Sequence, residues 1–236
     1  MKTFAIGDVH GQFSTLKKLL DKLPINWQTD ELVFLGDLID RGPQSREVID
    51  FVIQLHQEKS HQVRVLKGNH EQMLLDSYNR ENDFLHWLSN GGDTTYSSYC
   101  KSDEVSWKVF NKKFPMETYE YLKNRPIRYE NDHAIFVHAG SKCDNNGQWR
   151  TETALIALWY RGKDFFGKYR GKTIVVGHTP TNKIRLMLGE ALMPADQMTA
   201  WSRNNIIAID CGVGQEGRLC AVELPGGSLY YQSLED

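Results

Sequence analysis

Short apolar runs recur along the chain, and each leads into a polar cluster marked by glycine. Phe4-Ala5-Ile6 runs into Gly7-Asp8-Val9-His10-Gly11. Leu32-Val33-Phe34-Leu35 runs into Gly36-Asp37-Leu38-Ile39-Asp40-Arg41-Gly42, and Val63-Arg64-Val65-Leu66-Lys67 into Gly68-Asn69-His70-Glu71. Later, Ala134-Ile135-Phe136-Val137 leads to His138-Ala139-Gly140, and Ile174-Val175-Val176 to Gly177-His178-Thr179-Pro180. Between the first three runs the period changes. Phe13, Leu16, Leu19, Leu20 and Leu23 form the stripe of a helix that Pro24 ends. Val48, Val52 and Leu55 share one face of a second helix, widened by Ile49, with Pro43 suited to its first turn. The first 70 residues therefore read β-α-β-α-β, which predicts parallel strands joined by right-handed crossovers. Ligands of such sheets gather outside the carboxyl ends of the strands, so five polar strand ends read as one site.

From residue 71 to 125 strand alternation disappears. Met73, Leu74, Leu75, Phe84, Trp87, Leu88, Tyr96, Tyr99, Trp107, Phe110, Phe114, Tyr119, Tyr121 and Leu122 stand among polar residues. This predicts a mainly helical insertion whose aromatics serve packing. After Pro126, strands are expected at 127–129, 134–137, 173–176, 184–188, 206–209, 219–224 and 228–232, the last two joined as a hairpin by Gly226-Gly227. A short helix is expected at 151–160 and a basic, glycine-punctuated loop at 163–171. With no repeat or linker, one α/β domain is expected.

The 236 residues are 40% hydrophobic, enough for a sizeable core. A net charge of -2 gives no electrostatic reason to expect a nucleic-acid or anionic-membrane partner. No apolar run approaches the roughly 20 residues of a membrane span. The start lacks a secretory pattern, so a cytoplasmic monomer is expected. Cys100, Cys143, Cys211 and Cys220 form no Cys-x-x-Cys pair and read as isolated reduced thiols.

The strand ends offer Asp8, His10, Asp37, Asn69, His138 and His178, a mixed nitrogen and oxygen set suited to Mn, Fe or Zn. Asp8 and His10 cannot converge from one regular strand, so that strand has turned into loop by then, as Gly7 and Gly11 permit. A carboxylate can bridge two ions, and such a pair activates water near neutral pH. Arg41 and Arg161 offer guanidinium groups for phosphate. His70 is placed to protonate a leaving oxygen, with Asp40 able to hold its tautomer. His56, His61, His86 and His133 lie away from strand ends and carry no expected role.

These motifs resemble the metallophosphoesterase superfamily and, within it, the phosphoprotein phosphatase family. The five signatures stand in order at residues 7–11, 36–42, 68–71, 138–140 and 177–179. The stretch Gly68-Asn69-His70-Glu71-Gln72-Met73, followed by His86-Trp87-Leu88 and Asn90-Gly91-Gly92, resembles the small bacterial and phage lambda-type branch. Leu158-Trp159-Tyr160-Arg161 is similar to the segment carrying that branch's second phosphate-binding arginine. Ile209-Asp210-Cys211-Gly212 is similar to a late Ile-Asp-Thr-Gly element, with Cys in place of Thr.

The resemblance implies a two-sheet α/β sandwich flanked by helices and two divalent ions, Mn²⁺ as the usual activator. Asp8, His10 and Asp37 would hold one ion; Asp37, Asn69, His138 and His178 the other. Arg41, Arg161 and Asn69 would bind phosphate. A hydroxide bridging the ions would attack phosphorus in line, with His70 as general acid paired to Asp40. The implied substrate is a phosphoserine or phosphothreonine protein or peptide, with phosphotyrosine also within range. Bacterial symmetrical diadenosine tetraphosphate hydrolases share most of these motifs and are the nearest alternative. They typically carry Ala where this chain has Asp40 and Asp where it has Glu71. A non-catalytic phosphopeptide-binding protein is the alternative from another class, but such a protein is expected to lose ligands, and none is lost here.

Overall fold

The computed structural model of the protein describes residues 1–100, 104–149 and 153–234. One sheet has the order β10-β9-β1-β2-β3, with β1 (Thr3–Ile6), β2 (Glu31–Phe34), β3 (Val63–Val65), β9 (Arg218–Leu224) and β10 (Leu229–Ser233). The other runs β4-β5-β6-β8-β7, with β4 (Arg128–Glu130), β5 (Ile135–Val137), β6 (Ile174–Val176), β7 (Trp201–Arg203) and β8 (Ile206–Ala208). As the alternation of strand and helix predicts, β1, β2 and β3 pair in parallel; so do β5, β6 and β8. Six parallel strands thus present their carboxyl ends.

The inner faces of the sheets meet through Ala5, Val33, Leu35, Phe136, Val175, Ile209 and Val222, all buried. A strand face covered on both sides needs no polar alternation, which is why these strands read as unbroken apolar runs. On the outer face of the first sheet lie α1 (Phe13–Lys22) and α2 (Ser45–Glu58), whose Leu16, Leu19, Val48 and Val52 join the core around Phe4 and Phe34. Pro43 precedes α2 rather than opening it, since the helix starts at Ser45.

The insertion is helical, as expected: α3 (Asn69–Asn79), α4 (Glu81–Trp87), α5 (Asp93–Cys100), α6 (Trp107–Lys113) and α7 (Met116–Lys123). Its aromatics pack on one another. The Trp87 and Phe110 rings lie 4.8 Å apart, Tyr99 and Phe114 4.8 Å, and Phe110 and Phe114 5.0 Å. The helix expected at 151–160 is α8 (Ala154–Trp159), with Thr151 and Glu152 outside the described residues.

Two expectations are corrected. The basic loop at 163–171 contains α9 (Lys163–Lys168), which buries Phe165 and Phe166. The strand expected at 184–188 is the end of α10 (Thr181–Leu188). A short, mainly apolar stretch such as Ile184-Arg185-Leu186-Met187-Leu188 fits either period, and its ends decide the matter. Pro180 stands at the N-cap, and Gly189 at the C-cap takes φ 76, the left-handed conformation in which helices commonly stop. The hairpin of β9 and β10 forms as expected. The cysteines are free, also as expected.

Candidate active site

The side chains singled out at the strand ends come together. Asp8 and His10 follow β1, Asp37 follows β2, Asn69 opens α3 directly after β3, His138 follows β5 and His178 follows β6. All are buried, with exposures of 3% or less. As expected, the chain has left the β1 strand before His10, which takes φ 47. Asp37, Asp40, Arg41 and His178 also have φ between 50 and 70. Non-glycine residues held in this region cost about 1–3 kcal/mol each and persist where the surrounding structure over-determines them, which points to a functional centre.

Three devices hold the loops. Glu71 accepts from the backbone N–H groups of Gly68 (2.7 Å), Asp37 (2.9 Å) and Leu38 (2.7 Å), so one buried carboxylate ties the loop after β2 to the start of α3. The His178 N–H donates to Asp8, joining the ends of β1 and β6 across the two sheets. At Gly68 a side chain is excluded, because a Cβ would stand against Asp37 Oδ1.

The imidazoles are oriented for coordination. His10 Nδ1 donates to Ile39 O (3.0 Å) and His138 Nδ1 to Leu35 O (2.9 Å), which turns both Nε2 atoms inward. A backbone carbonyl behind the ring is the usual partner that fixes a ligating histidine. His138 Nε2 lies 2.9 Å from Asn69 Oδ1 and 3.3 Å from Asp37 Oδ1, and His178 Nδ1 lies 2.7 Å from Asn69 Oδ1. Among the described residues two clusters could hold an ion: His10, Asp37 and His70, and Asp37, His138 and His178. Asp37 belongs to both. His70 stands in the first where Asp8 was expected, and Asp8 Oδ2 lies 4.0 Å from His10 Nε2. The donor set fits divalent Mn, Fe or Zn better than an all-oxygen ion such as Ca²⁺.

The electrostatics point the same way. Burial, reinforced by Asp210, holds the Asp8 carboxyl well above its usual range. Burial and the charge of Asp37 push Glu71 up to about 7. Burial opposes charge on His138, yet Asp37 and Asp8 outweigh it and push the ring up to about 9. The cluster therefore favours added positive charge, as a metal site must. Burial, His138 and Arg161 push His178 down to about 2, and burial with His70 lowers His10 well below its usual value, so both rings are neutral and keep a lone pair.

A pH dependence follows with a definite sign. Near pH 7 His138 carries a proton in the metal-free protein, and an ion bound there must displace it. Below about 9, apparent Mn²⁺ affinity should rise roughly tenfold per pH unit from this group. Titration calorimetry at pH 7 and 8, in buffers of different ionisation heat, should show proton release. A pH-independent affinity would remove His138 as a ligand.

His70 and the other expected residues at the site have further partners. His70 Nδ1 donates to Asp40 Oδ2 at 2.7 Å. Arg41 Nη1 lies 2.8 Å from His10 Nε2, and Nη2 lies 3.1 Å from His70 Nε2. Arg161 Nη2 donates to His178 O (3.1 Å), which brings it to the same edge. Asp40 is fully buried and receives Trp87 Nε1 (3.0 Å to Oδ2) and Thr95 Oγ1 (2.7 Å to Oδ1).

Three contributors carried no expected role at the site, although Trp87 and Asp210 lie in motifs named above. Trp87 and Thr95 are fully buried and come from the insertion, so that unit reaches the centre of the site. Asp210 is buried at the end of β8, the sixth parallel strand, and its charge acts on Arg161, Arg41 and Asp8. A signal existed for Asp210: its apolar run at 206–209 ends in a polar cluster like the other five.

Comparison with known proteins agrees with this geometry. The sequence profile described as calcineurin-like phosphoesterase matches residues 1–192. An asymmetrical bis(5'-nucleosyl)-tetraphosphatase of Anoxybacillus flavithermus is 29% identical over 93% of this chain and 89% of its own length. A solved structure described as a candidate diadenosine tetraphosphatase superposes with TM-score 0.63 at 20% identity, covering 100% of this chain and 94% of the other. A cold-active protein tyrosine phosphatase superposes with TM-score 0.59 at 21% identity, covering 98% and 78%. At such identities the structures speak for the fold alone, a two-sheet sandwich with helices.

Proposed function

Since the chain belongs to the calcineurin-like phosphoesterase family, we propose that it is a metal-dependent hydrolase of dinucleoside tetraphosphates. The observation that carries the chemistry is Asp37, shared by two clusters of inward-facing donors. The substrate reading is supported by the tetraphosphatase relative, whose likeness runs through nearly the whole of both chains.

Asp8, His10 and Asp37 would hold one divalent ion, and Asp37, Asn69, His138 and His178 a second, with Mn²⁺ the first choice and Fe or Zn the others. Such a pair supplies an activated water and polarises the phosphoryl oxygens. The protein's own groups do the rest. Arg41 and Arg161 bind the phosphoryl oxygens in the forked geometry of guanidinium. Asn69 turns its Oδ1 to His138 and His178, which leaves its Nδ2 as a donor to phosphate. His70 delivers a proton from Nε2 to the leaving oxygen, while Asp40 holds Nδ1. The charge of Asp210 acts on Arg161 and Arg41 and offsets part of the cationic edge.

A second reading is kept because of Asp40. Its contact with His70 is complete, and the resemblance in the motifs associates that residue with protein serine/threonine phosphatases acting on phosphoproteins. The two readings part in one experiment. The protein, stripped with chelator and reloaded with Mn²⁺, is given diadenosine tetraphosphate and a phosphoserine peptide side by side. We expect the higher kcat/KM on the dinucleotide. Preference for the peptide would transfer the protein to the phosphatases. No turnover of either, with metal bound, would favour a phosphopeptide-binding role.

A further inference from the structure

A cavity of ≈ 450 Å³ opens beside the site and shares Arg41, Arg161 and His178 with it. It is also lined by Asn182 and Lys183, in the first turn of α10, and by Gln215. This lining is built rather than accidental. Asn182 Nδ2 donates to Met193 O (2.7 Å) and Asn182 Oδ1 accepts from Met193 N (3.0 Å), so the following segment is pinned back. Three cations and no carboxylate line this cavity. The Lys183 ammonium has no hydrogen-bond or ion-pair partner among the described residues.

A cavity of this size suits a ligand as large as a nucleotide rather than a single phosphoryl group. Two arginines already serve the reacting phosphate. A further cation beyond them, in a groove without anions, calls for further negative charge on the substrate. Lysine is also the appropriate residue. Arginine fixes one phosphate in a fork, whereas an ammonium on a flexible stem is a point charge that follows a mobile chain. We propose that this cavity is a subsite for the non-reacting phosphates of the substrate, and that Lys183 selects polyphosphate chains over monophosphate esters. The inference rests on the dinucleoside tetraphosphate reading for its natural ligand, but the subsite can be tested without it.

The probe is inorganic tripolyphosphate as an inhibitor of p-nitrophenyl phosphate hydrolysis, with orthophosphate as reference and free Mn²⁺ held constant. In the unaltered protein tripolyphosphate should inhibit more tightly than orthophosphate. Lys183→Gln should reduce that preference, the ratio of the two inhibition constants, by about tenfold, the span of a hydrogen bond to a charged group. Lys183→Glu should reduce it further, and Lys183→Arg should restore most of it. The selectivity for diadenosine tetraphosphate over p-nitrophenyl phosphate should fall in parallel. An unchanged ratio in Lys183→Gln and Lys183→Glu overturns the proposal. If the preference tracks Lys183 while diadenosine tetraphosphate is not hydrolysed, the subsite stands and the dinucleotide reading fails. If the dinucleotide is hydrolysed and Lys183 variants discriminate as before, the subsite fails alone.

Discussion

Asp37→Asn is expected to remove both the stoichiometry and the turnover of the metal-loaded protein. The substitution is nearly isosteric, and an amide oxygen can still accept from the His70 N–H, which lies 3.0 Å from Asp37 Oδ1. The fold should therefore survive. What disappears is the charge common to the two clusters. Burial works against that charge, but His138 and His70 outweigh burial and hold the carboxyl well below its usual range. The surroundings are thus organised to keep this group ionised. Losing about 4 kcal/mol of charge stabilisation, the order attributed to metal-assisted catalysis, would slow phosphate release by roughly 10³-fold. Bound Mn²⁺ measured by mass spectrometry should fall below two per chain in the same preparation. Two ions and ordinary turnover in Asp37→Asn would show that the clusters are held together by something other than Asp37.

The parts of this site that were legible in the sequence share one physical cause. A strand buried on both faces reads as an apolar run, and a parallel sheet delivers the end of each such run to one edge. Asp8, Asp37, Asn69, His138 and His178 could therefore be gathered without any tertiary information. Asp210 obeys the same rule, but it follows β8, in a tail where the pairing of the run at 206–209 is not evident from its apolar pattern. Only the parallel pairing of β6 with β8 places it beside Asp8. β7 was missed because just one of its three residues, Trp201, is buried. Its turn was visible in principle: Asn204 and Asn205 take φ 52 and 65, and paired left-handed residues close a tight hairpin.

The role of the insertion was beyond sequence reasoning for a different reason. Its aromatic residues were expected to pack, and most do. Packing and function coincide at Trp87, whose ring lies in the aromatic cluster while its Nε1 donates to Asp40. Thr95 has no sequence signature, being one of two adjacent threonines, yet its hydroxyl reaches Asp40 across 55 positions of chain. Arg41 is fastened from the same side, its N–H donating to Gly91 O at 2.9 Å. Asp40 and Arg41 are thus held by residues of helices outside the sheets. The motifs alone could name these residues but not their supports.

The second large effect concerns His70. A proton donor matters in proportion to how poorly the leaving oxygen carries negative charge. An alkoxide leaving from an alkyl phosphate ester needs the proton; a polyphosphate chain leaves as a stable anion. His70→Asn should therefore lower kcat on an alkyl phosphate ester by about 10²–10⁴-fold, but on diadenosine tetraphosphate by less than about tenfold. Metal content should be retained if Asp8, His10 and Asp37 hold the first ion as proposed; loss of one ion in His70→Asn would instead make His70 a ligand, as its place beside His10 and Asp37 allows. Asp40→Asn should follow the same substrate order with a smaller loss, because the imidazole would remain while its orientation weakens. Equal losses on both substrates would mean that His70 acts through its charge on the phosphoryl group rather than by proton transfer. The comparison also bears on why the dyad is complete here. A hydrolase working only on anhydrides has little need of Asp40, whose burial between Trp87 and Thr95 raises its carboxyl and so opposes the charge it carries. A strong leaving-group dependence would accordingly argue that phosphate esters belong among the substrates, alongside the dinucleotides proposed above.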